Sequence, residues 1–413
     1  MTSAVPRPSA NAVPAPAGRA PSWLPPTWVL AVGLVAVAAN LRLALAGVPP
    51  LVGLITNDLH LSSAGVGVLT TLPVLCMGLF APVAHWASSR WGSVPTVFAA
   101  VIMMTFGSAL RWWGANVVVL YAATLVAGVG IAVAGTLLPR LVKTLFPAER
   151  VGLATGVYML AMMLGATASA ALSAPLAGVL GSWERSLASW AVVGLVGLVA
   201  WTPLTRAVLR HRDDVTSGSA HTRLPWRHPT AWLIAAYLVT QSWAFYSTLA
   251  WLAPSFVRLG WDREHAGYLL SLFSAVQIVA GLVMPVVSDR VSDLRFLLVP
   301  VTGLATSGLL GLLLAPASAP WLWAVLVGLG QGGAFAVALV LLVRFASTPQ
   351  ASGGLSAMGF LVGYGIASFG PVVMGVILDR TGGFHGVWLV LALLMVPQLV
   401  VVAALRPAMR TVA

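Results

Sequence analysis

Twelve apolar runs recur along this 413-residue chain, each close to or beyond the length that crosses a bilayer. They fall at about 28–54, 63–86, 94–110, 117–142, 152–176, 187–203, 231–254, 266–287, 296–316, 320–343, 353–378 and 386–405. A spanning helix needs about 20 such residues. In lipid these segments must be helical, because every backbone N–H and C=O has to find its partner within the segment. Only 8% of the residues are charged and 59% are hydrophobic, whereas roughly 25% are charged in an ordinary soluble domain. No soluble core hides that much apolar side chain, so a water-soluble enzyme is excluded. The expected fold class is an all-α membrane protein of twelve transmembrane helices. One cysteine, Cys76, rules out a disulfide framework and a cysteine-based metal site. No metal and no cofactor are expected.

Residues 1–26 are rich in proline and alanine and lack the compact apolar core and cleavage site of a signal peptide, so they read as a disordered cytoplasmic tail. The one long polar interruption, 204–230, carries five arginines and divides the chain into bundles over 27–203 and 231–406, with a short cytoplasmic tail at 407–413. The net charge of +12 would suggest nucleic acid in a soluble protein; here it reports orientation instead. With the N-terminus inside, sixteen of the 22 Lys/Arg residues fall on cytoplasmic segments. Five fall outside (Arg111, Arg185, Arg258, Arg263 and Arg380), and Arg42 lies within the first span. That asymmetry predicts both termini in the cytoplasm.

The two halves echo each other at an offset of roughly 200 residues: Ala64-Gly65 with Ala266-Gly267, Pro82 and Arg90 with Pro285 and Arg290, Gly128/Gly130 with Gly328/Gly330, and Pro175 with Pro371. Repeats of this kind build a site near the bilayer midplane between two halves that rock against each other. The expectation is two pseudo-symmetric six-helix bundles, a small-molecule substrate between them, the lipid bilayer around them, a monomer, and no nucleic-acid partner.

Arg42 carries the functional argument. A centred arginine costs about 2.5–3.5 kcal/mol on insertion scales. A dozen or so residues separate Arg42 from either end of its run, which disfavours snorkelling to an interface. None of the ten acids sits at midspan, so no internal ion pair is at hand. The simplest partner is a substrate anion or polar acceptor held by the planar guanidinium fork. The alternative is an arginine bonded to helix carbonyls or amides for packing.

Other polar residues at midspan are Gln241, Ser242 and Tyr246 in span 7, where Phe245 is also central, Gln277 in span 8, Gln331 in span 10 and Tyr364 in span 11, with Tyr158 somewhat off-centre in span 5. Buried glutamines either join helices, worth about 0.6 kcal/mol on average, or face substrate. The candidate substrate-binding set is Arg42, Tyr158, Gln241, Tyr246, Gln331 and Tyr364, with Gln277 ranked lower. Asn40 lies about 200° around the helix from Arg42 and is expected to contact span 11 or span 5. Trp251 reads as an interfacial anchor or gate. All seven histidines lie in loops or at span ends, so a proton relay through a buried acid or histidine is not expected, and neither is an intramembrane enzyme. A lipophilic-drug or metabolite exporter is the runner-up, and a sensor without transport is a third class.

The 6+6 layout resembles the major facilitator superfamily. Several stretches look like its cyanate and 2-nitroimidazole transporter branch: Asn40-Leu-Arg42 with Pro49-Pro50-Leu51, Gly130 through Pro139, Tyr246 through Pro254, Gly328 through Gly332, and Gly363-Tyr364 with Gly370-Pro371. The superfamily's loop motif, G-x-x-x-D-R-x-G-R-[RK], has lost its acid after span 2, where Ala81 to Gly92 keeps only Arg90. The copy after span 8 retains Asp289-Arg290. The resemblance implies a transporter working by alternating access, Asp289, Arg290 and Arg90 as gating residues, and a cyanate-like or 2-nitroimidazole-like solute.

Overall fold

The computed structural model describes residues 25–210, 224–406, 409, 411 and 412. Residues 1–24 of the expected 1–26 tail and 211–223 of the 204–230 linker lie outside the described residues. The first bundle opens with α1 (Thr27–Ala46), a 3-10 turn at Pro49–Leu51 and α2 (Val52–Leu59). Pro49 and Pro50 have no N–H, so the carbonyls of Leu45 and Ala46 lose their i+4 donors and the α-helix stops there. The second span is broken into α3 (Ser63–Leu79) and α4 (Ala81–Trp91), bent by 55° at Phe80, with Pro82 in the first turn of α4. There follow α5 (Ser93–Leu110), a 3-10 turn at Arg111–Trp113, α6 (Val117–Leu145), α7 (Ala148–Leu180), the short α8 (Trp183–Ser189) and α9 (Ala191–Arg210). Helix α9 runs through Pro203 to Arg210, so the first bundle extends into what the sequence suggested was linker.

The second bundle comprises α10 (Pro229–Arg258), α11 (Arg263–Ser288), α12 (Arg295–Leu314), α13 (Pro320–Arg344), α14 (Pro349–Ala367), α15 (Gly370–Thr381) and α16 (His385–Ala404). Among the described residues, ten segments are long and apolar enough to cross a membrane, and the bent α3–α4 pair makes an eleventh. Helix α10 completes the twelve expected spans: it is 30 residues long but more polar, with Gln241, Ser242, Ser247 and Thr248 all buried. The short C-terminal tail is not free. Val412 donates to the Phe345 carbonyl at 2.7 Å and accepts from the Ser347 N–H at 2.9 Å.

Within the first bundle α5 packs on α6 and α9, and α1 on α7 and α9. Within the second, α11 packs on α13, and α12 on α13 and α16. The bundles meet where α7 crosses α11 and where α3 crosses α14 and α15. Two residues sit differently in this packing than the sequence suggested. Arg111 does lie in the connection between α5 and α6, but it is only 1% exposed, enclosed where α5 ends against α1 and α6. Asn40, expected to meet span 11 or span 5, spends its Nδ2 on Ala36 O at 2.7 Å and on Val193 O of α9 at 3.2 Å.

Candidate substrate-binding site

Between the bundles lies a cavity of about 530 Å³, within the range of about 300–1,000 Å³ usual for small-molecule sites. It opens at the end where α7 and α10 begin and where α11 and α13 finish, with Gly152, Asp289 and Val343 on its rim. Towards the opposite end the bundles close. A methyl group on Gly67 would lie 2.7 Å from the Pro371 carbonyl oxygen, one on Gly267 2.7 Å from the Ala170 oxygen, and one on Gly375 2.6 Å from the Ser63 oxygen. At the open end the same test on Gly135, Gly152, Gly156 and Gly281 meets nothing within 4 Å.

Arg42 stands where the open and sealed regions meet. It is 7% exposed, and its Cζ lies 5.2 Å from the Phe245 ring centroid and 5.7 Å from that of Tyr246. Both rings belong to α10, so the guanidinium of the first bundle reaches across to the second. A desolvated cation–π contact is worth up to about 2 kcal/mol. It leaves the N–H edge uncommitted, and Nη1 is buried with no hydrogen-bond partner. Asp289, at the mouth, is the one acid among the described lining residues. The site therefore presents a donor fork to whatever enters, with no protein carboxylate competing for it.

The aromatic side chains form a connected set: Phe245 on Tyr246 at 4.9 Å, Tyr246 on Tyr364 at 6.0 Å, and Tyr364 stacked on Phe360 at 5.4 Å. Tyr246 and Tyr364, singled out from the sequence, both line the cavity, as does Gln241. Gln241 is held from behind, its Nε2 donating to Gln331 O at 3.3 Å and its Oε1 accepting from Ser242 Oγ at 3.1 Å. Gln331 and Tyr158 are buried but are not among the lining residues. Gln331 backs Gln241, and Tyr158 packs into the core of the first bundle. Gln277, ranked lower from sequence, does line the cavity, and so do Phe245 and the methionines Met159, Met162 and Met163. An apolar helix face gave no sign of which residues the wall would use.

The gating residues separate in the same way. Asp289 lines the cavity mouth while Arg290 and Arg90 sit exposed at helix ends. Arg344 and Arg295 hold the α11–α12 connection. Arg344 Nη1 donates to Val291 O at 2.7 Å and its Nη2 to Ser288 O at 2.8 Å. Arg295 donates to Asp293 at 2.6 Å and 2.8 Å, and those bonds hold the Asp293 carboxyl below the usual carboxylate range. At the sealed end Asp379, of α15, accepts the Ser63 and Ala64 N–H groups of α3 at 2.8 and 2.9 Å. Thr71 Oγ1 donates to Ser368 O at 2.7 Å and Ser271 Oγ to Thr167 O at 3.0 Å. Trp251 is fully buried, donating to Pro371 O at 2.9 Å, and is not an interfacial anchor.

Two six-helix bundles closing over a central cavity that opens at one end are the architecture of a multi-span membrane transporter. The chain belongs to the Major Facilitator Superfamily, whose sequence profile matches residues 30–327 and 242–413. It is 33% identical to the 2-nitroimidazole transporter of Escherichia coli over 356 residues, 86% of this chain and 90% of that protein. It is 29% identical to the cyanate transport protein of the same organism over 377 residues, 91% and 96% of the two chains. Among solved structures, a D-xylose-proton symporter superposes with a TM-score of 0.69 at 16% identity, over 91% of this chain and 96% of the other, a likeness of fold alone.

Proposed function

We propose that the protein moves a small anionic or nitro-type, acceptor-rich solute across the bacterial inner membrane by alternating access, and that Arg42 binds it. The observation that carries this reading is the buried guanidinium of Arg42, with one donor unpartnered and the cavity before it. A planar fork meets two acceptor oxygens, or an oxygen and a nitrogen, with two charge-assisted hydrogen bonds. Tyr246 and Tyr364 meet edge to face on the wall beside it, and Gln241 supplies an amide on the same wall. The names of the two Escherichia coli relatives, a 2-nitroimidazole transporter and a cyanate transport protein, agree in asking for such an acceptor-rich solute. With both termini cytoplasmic, as the positive-inside rule orients the chain, the open mouth faces the cytoplasm and the state described is inward-facing. One chain encloses the whole cavity, in keeping with action as a monomer.

The test is binding to purified protein, followed by counterflow in proteoliposomes, with cyanate and 2-nitroimidazole as probes. Two charge-assisted bonds are worth about 3 kcal/mol, so Arg42→Ala should weaken binding roughly 100-fold. Arg42→Lys, which keeps the charge and loses the fork, should recover only part of that. Wild-type affinity in Arg42→Ala overturns the reading. The methionine-lined wall (Met159, Met162, Met163) favours a second reading, an exporter of varied apolar compounds, because methionine adapts to many shapes. A drug-susceptibility panel on a deletion strain separates the two.

A further inference from the structure

Arg42 is not the only buried cation. Arg111 is 1% exposed, and among the described residues the buried charged side chains are these two arginines, with no buried Asp or Glu. Arg111 Nη1 donates to the Ala44 carbonyl of α1 at 3.2 Å, its Nη2 makes a long contact to Thr124 Oγ1 of α6 at 3.4 Å, and its Nε has no partner. Two indifferent hydrogen bonds are poor recompense for burying a guanidinium, which is costly unless the charge is matched. An apolar side chain of similar length would fill the same space without that cost. The charge therefore needs a use, and its place in the fold supplies one. Ala44 lies two residues beyond Arg42 on the same helix, next to the point where Pro49 and Pro50 interrupt it.

We propose that Arg111 is a positioning residue for the substrate site: it holds the end of α1 through Ala44 and adds a second buried positive charge behind Arg42, so that an entering anion meets the field of both. The inference rests on Arg42 being the anion-binding group. Arg111, Ala44 and Arg42 all belong to the first bundle, so rocking of the bundles leaves their relation unchanged and the contribution is the same in either access state. Phe245 and Tyr246, on the second bundle, do not share that property. Across a helix about 10 Å in diameter, at an effective dielectric of about 20, one charge alters anion binding roughly tenfold.

The experiment uses the full chain in detergent, with cyanate, nitrite and nitrate as probes, on wild type, Arg42→Ala, Arg111→Lys and Arg111→Met. Arg111→Met should lower anion affinity roughly tenfold while the empty protein melts at or above the wild-type temperature, because an unmatched buried charge has been removed. Arg111→Lys, which keeps the charge, should stay within about threefold of wild type. Unchanged affinity in Arg111→Met, with wild type binding and Arg42→Ala failing, overturns the role of Arg111 and leaves that of Arg42 standing. A large fall in melting temperature in both Arg111 variants makes the residue structural and also overturns the proposal. If wild type and Arg42→Ala bind the anions equally, or neither binds, both readings fall together.

Discussion

At the sealed end the two bundles share one core, whereas at the open end each keeps its own. Leu45, Leu51, Ile55 and Leu69 of the first bundle merge with Leu249, Trp251, Phe256 and Met374 of the second into a single apolar cluster. On the other side, Leu34, Ile131 and Leu138 form one core and Ile234, Val337 and Leu341 another. Yet what ties the sealed end across the interface is modest: close approaches of glycine to backbone, two hydroxyl-to-carbonyl bonds, and one carboxylate on two N–H groups. No ion pair crosses it among the described residues. A closure made of shape with few polar ties is one that a few kcal/mol can reverse, as a transporter passing between two access states requires.

The largest effect should come from breaking the shape. Backbone lies on both sides of the Gly67–Pro371 contact, where a methyl group would sit 2.7 Å from a carbonyl oxygen, so neither partner can turn aside. Overpacking of this kind costs about 1–3 kcal/mol, a shift of roughly 5- to 150-fold in a two-state balance. In a Cys76→Ala background carrying Thr248→Cys, a residue now fully buried, Gly67→Ala should raise labelling by a bulky maleimide from the sealed side and slow counterflow. Gly135→Ala, which meets empty space, should do neither. Equal labelling of the two would show that glycine packing does not hold this end shut.

A smaller effect is expected from the polar tie. Asp379→Ala removes both acceptors from the Ser63 and Ala64 N–H groups at an exposed position. A loss of about 1 kcal/mol should raise labelling of the same cysteine about fivefold, with Asn, which keeps one acceptor, in between. Smaller again is Arg344→Gln at the open end, whose carbonyl contacts stay within the second bundle. It should slow transport by no more than about threefold, in keeping with a loss under 1 kcal/mol, and leave the sealed-end label unchanged. A rise in that label would mean that the α11–α12 connection communicates with the far gate.

What the sequence made legible, and what it concealed, follows the same division. Spans were legible because lipid imposes one rule on every residue they contain, and Arg42 because a lone cation breaks that rule. Tyr246, Tyr364 and Gln241 followed from depth alone, and the structure brings all three to the cavity wall. Gln331 shares that depth but sits one layer behind Gln241, and depth does not encode which side of a helix faces its neighbour. The burial of Arg111 was hidden because the residue directly follows the apolar run 94–110 and so reads as loop; only α1 and α6 folding around it bury it. Arg344 was overlooked as a clamp because its partners are carbonyls, which leave no mark in side-chain chemistry. The break in α1 was hidden inside one continuous apolar run, although Pro49-Pro50 could have revealed it.

The smallest expected effect is that of pH, and its smallness is informative. No histidine lines the cavity among the described residues, and Asp289, the acid that does, sits at the mouth. Asp58 accepts a hydrogen bond from Trp183 Nε1 at 3.0 Å, near the sealed end and away from the cavity. In the α11–α12 connection Asp293 is held below its ordinary range by hydrogen bonds from Arg295. The sign follows: a carboxyl depressed in the folded state contributes stability above its unfolded pKa of about 3.9 and loses it as pH falls through the lower folded value. None of that lies between about pH 5.5 and 8. Counterflow, which removes net driving force, with a solute of constant charge over that range, should therefore run nearly flat. A steep sigmoid abolished by Asp289→Asn or Asp58→Asn would place a proton relay in the transport path and make one end of the molecule a coupling site as well as a gate.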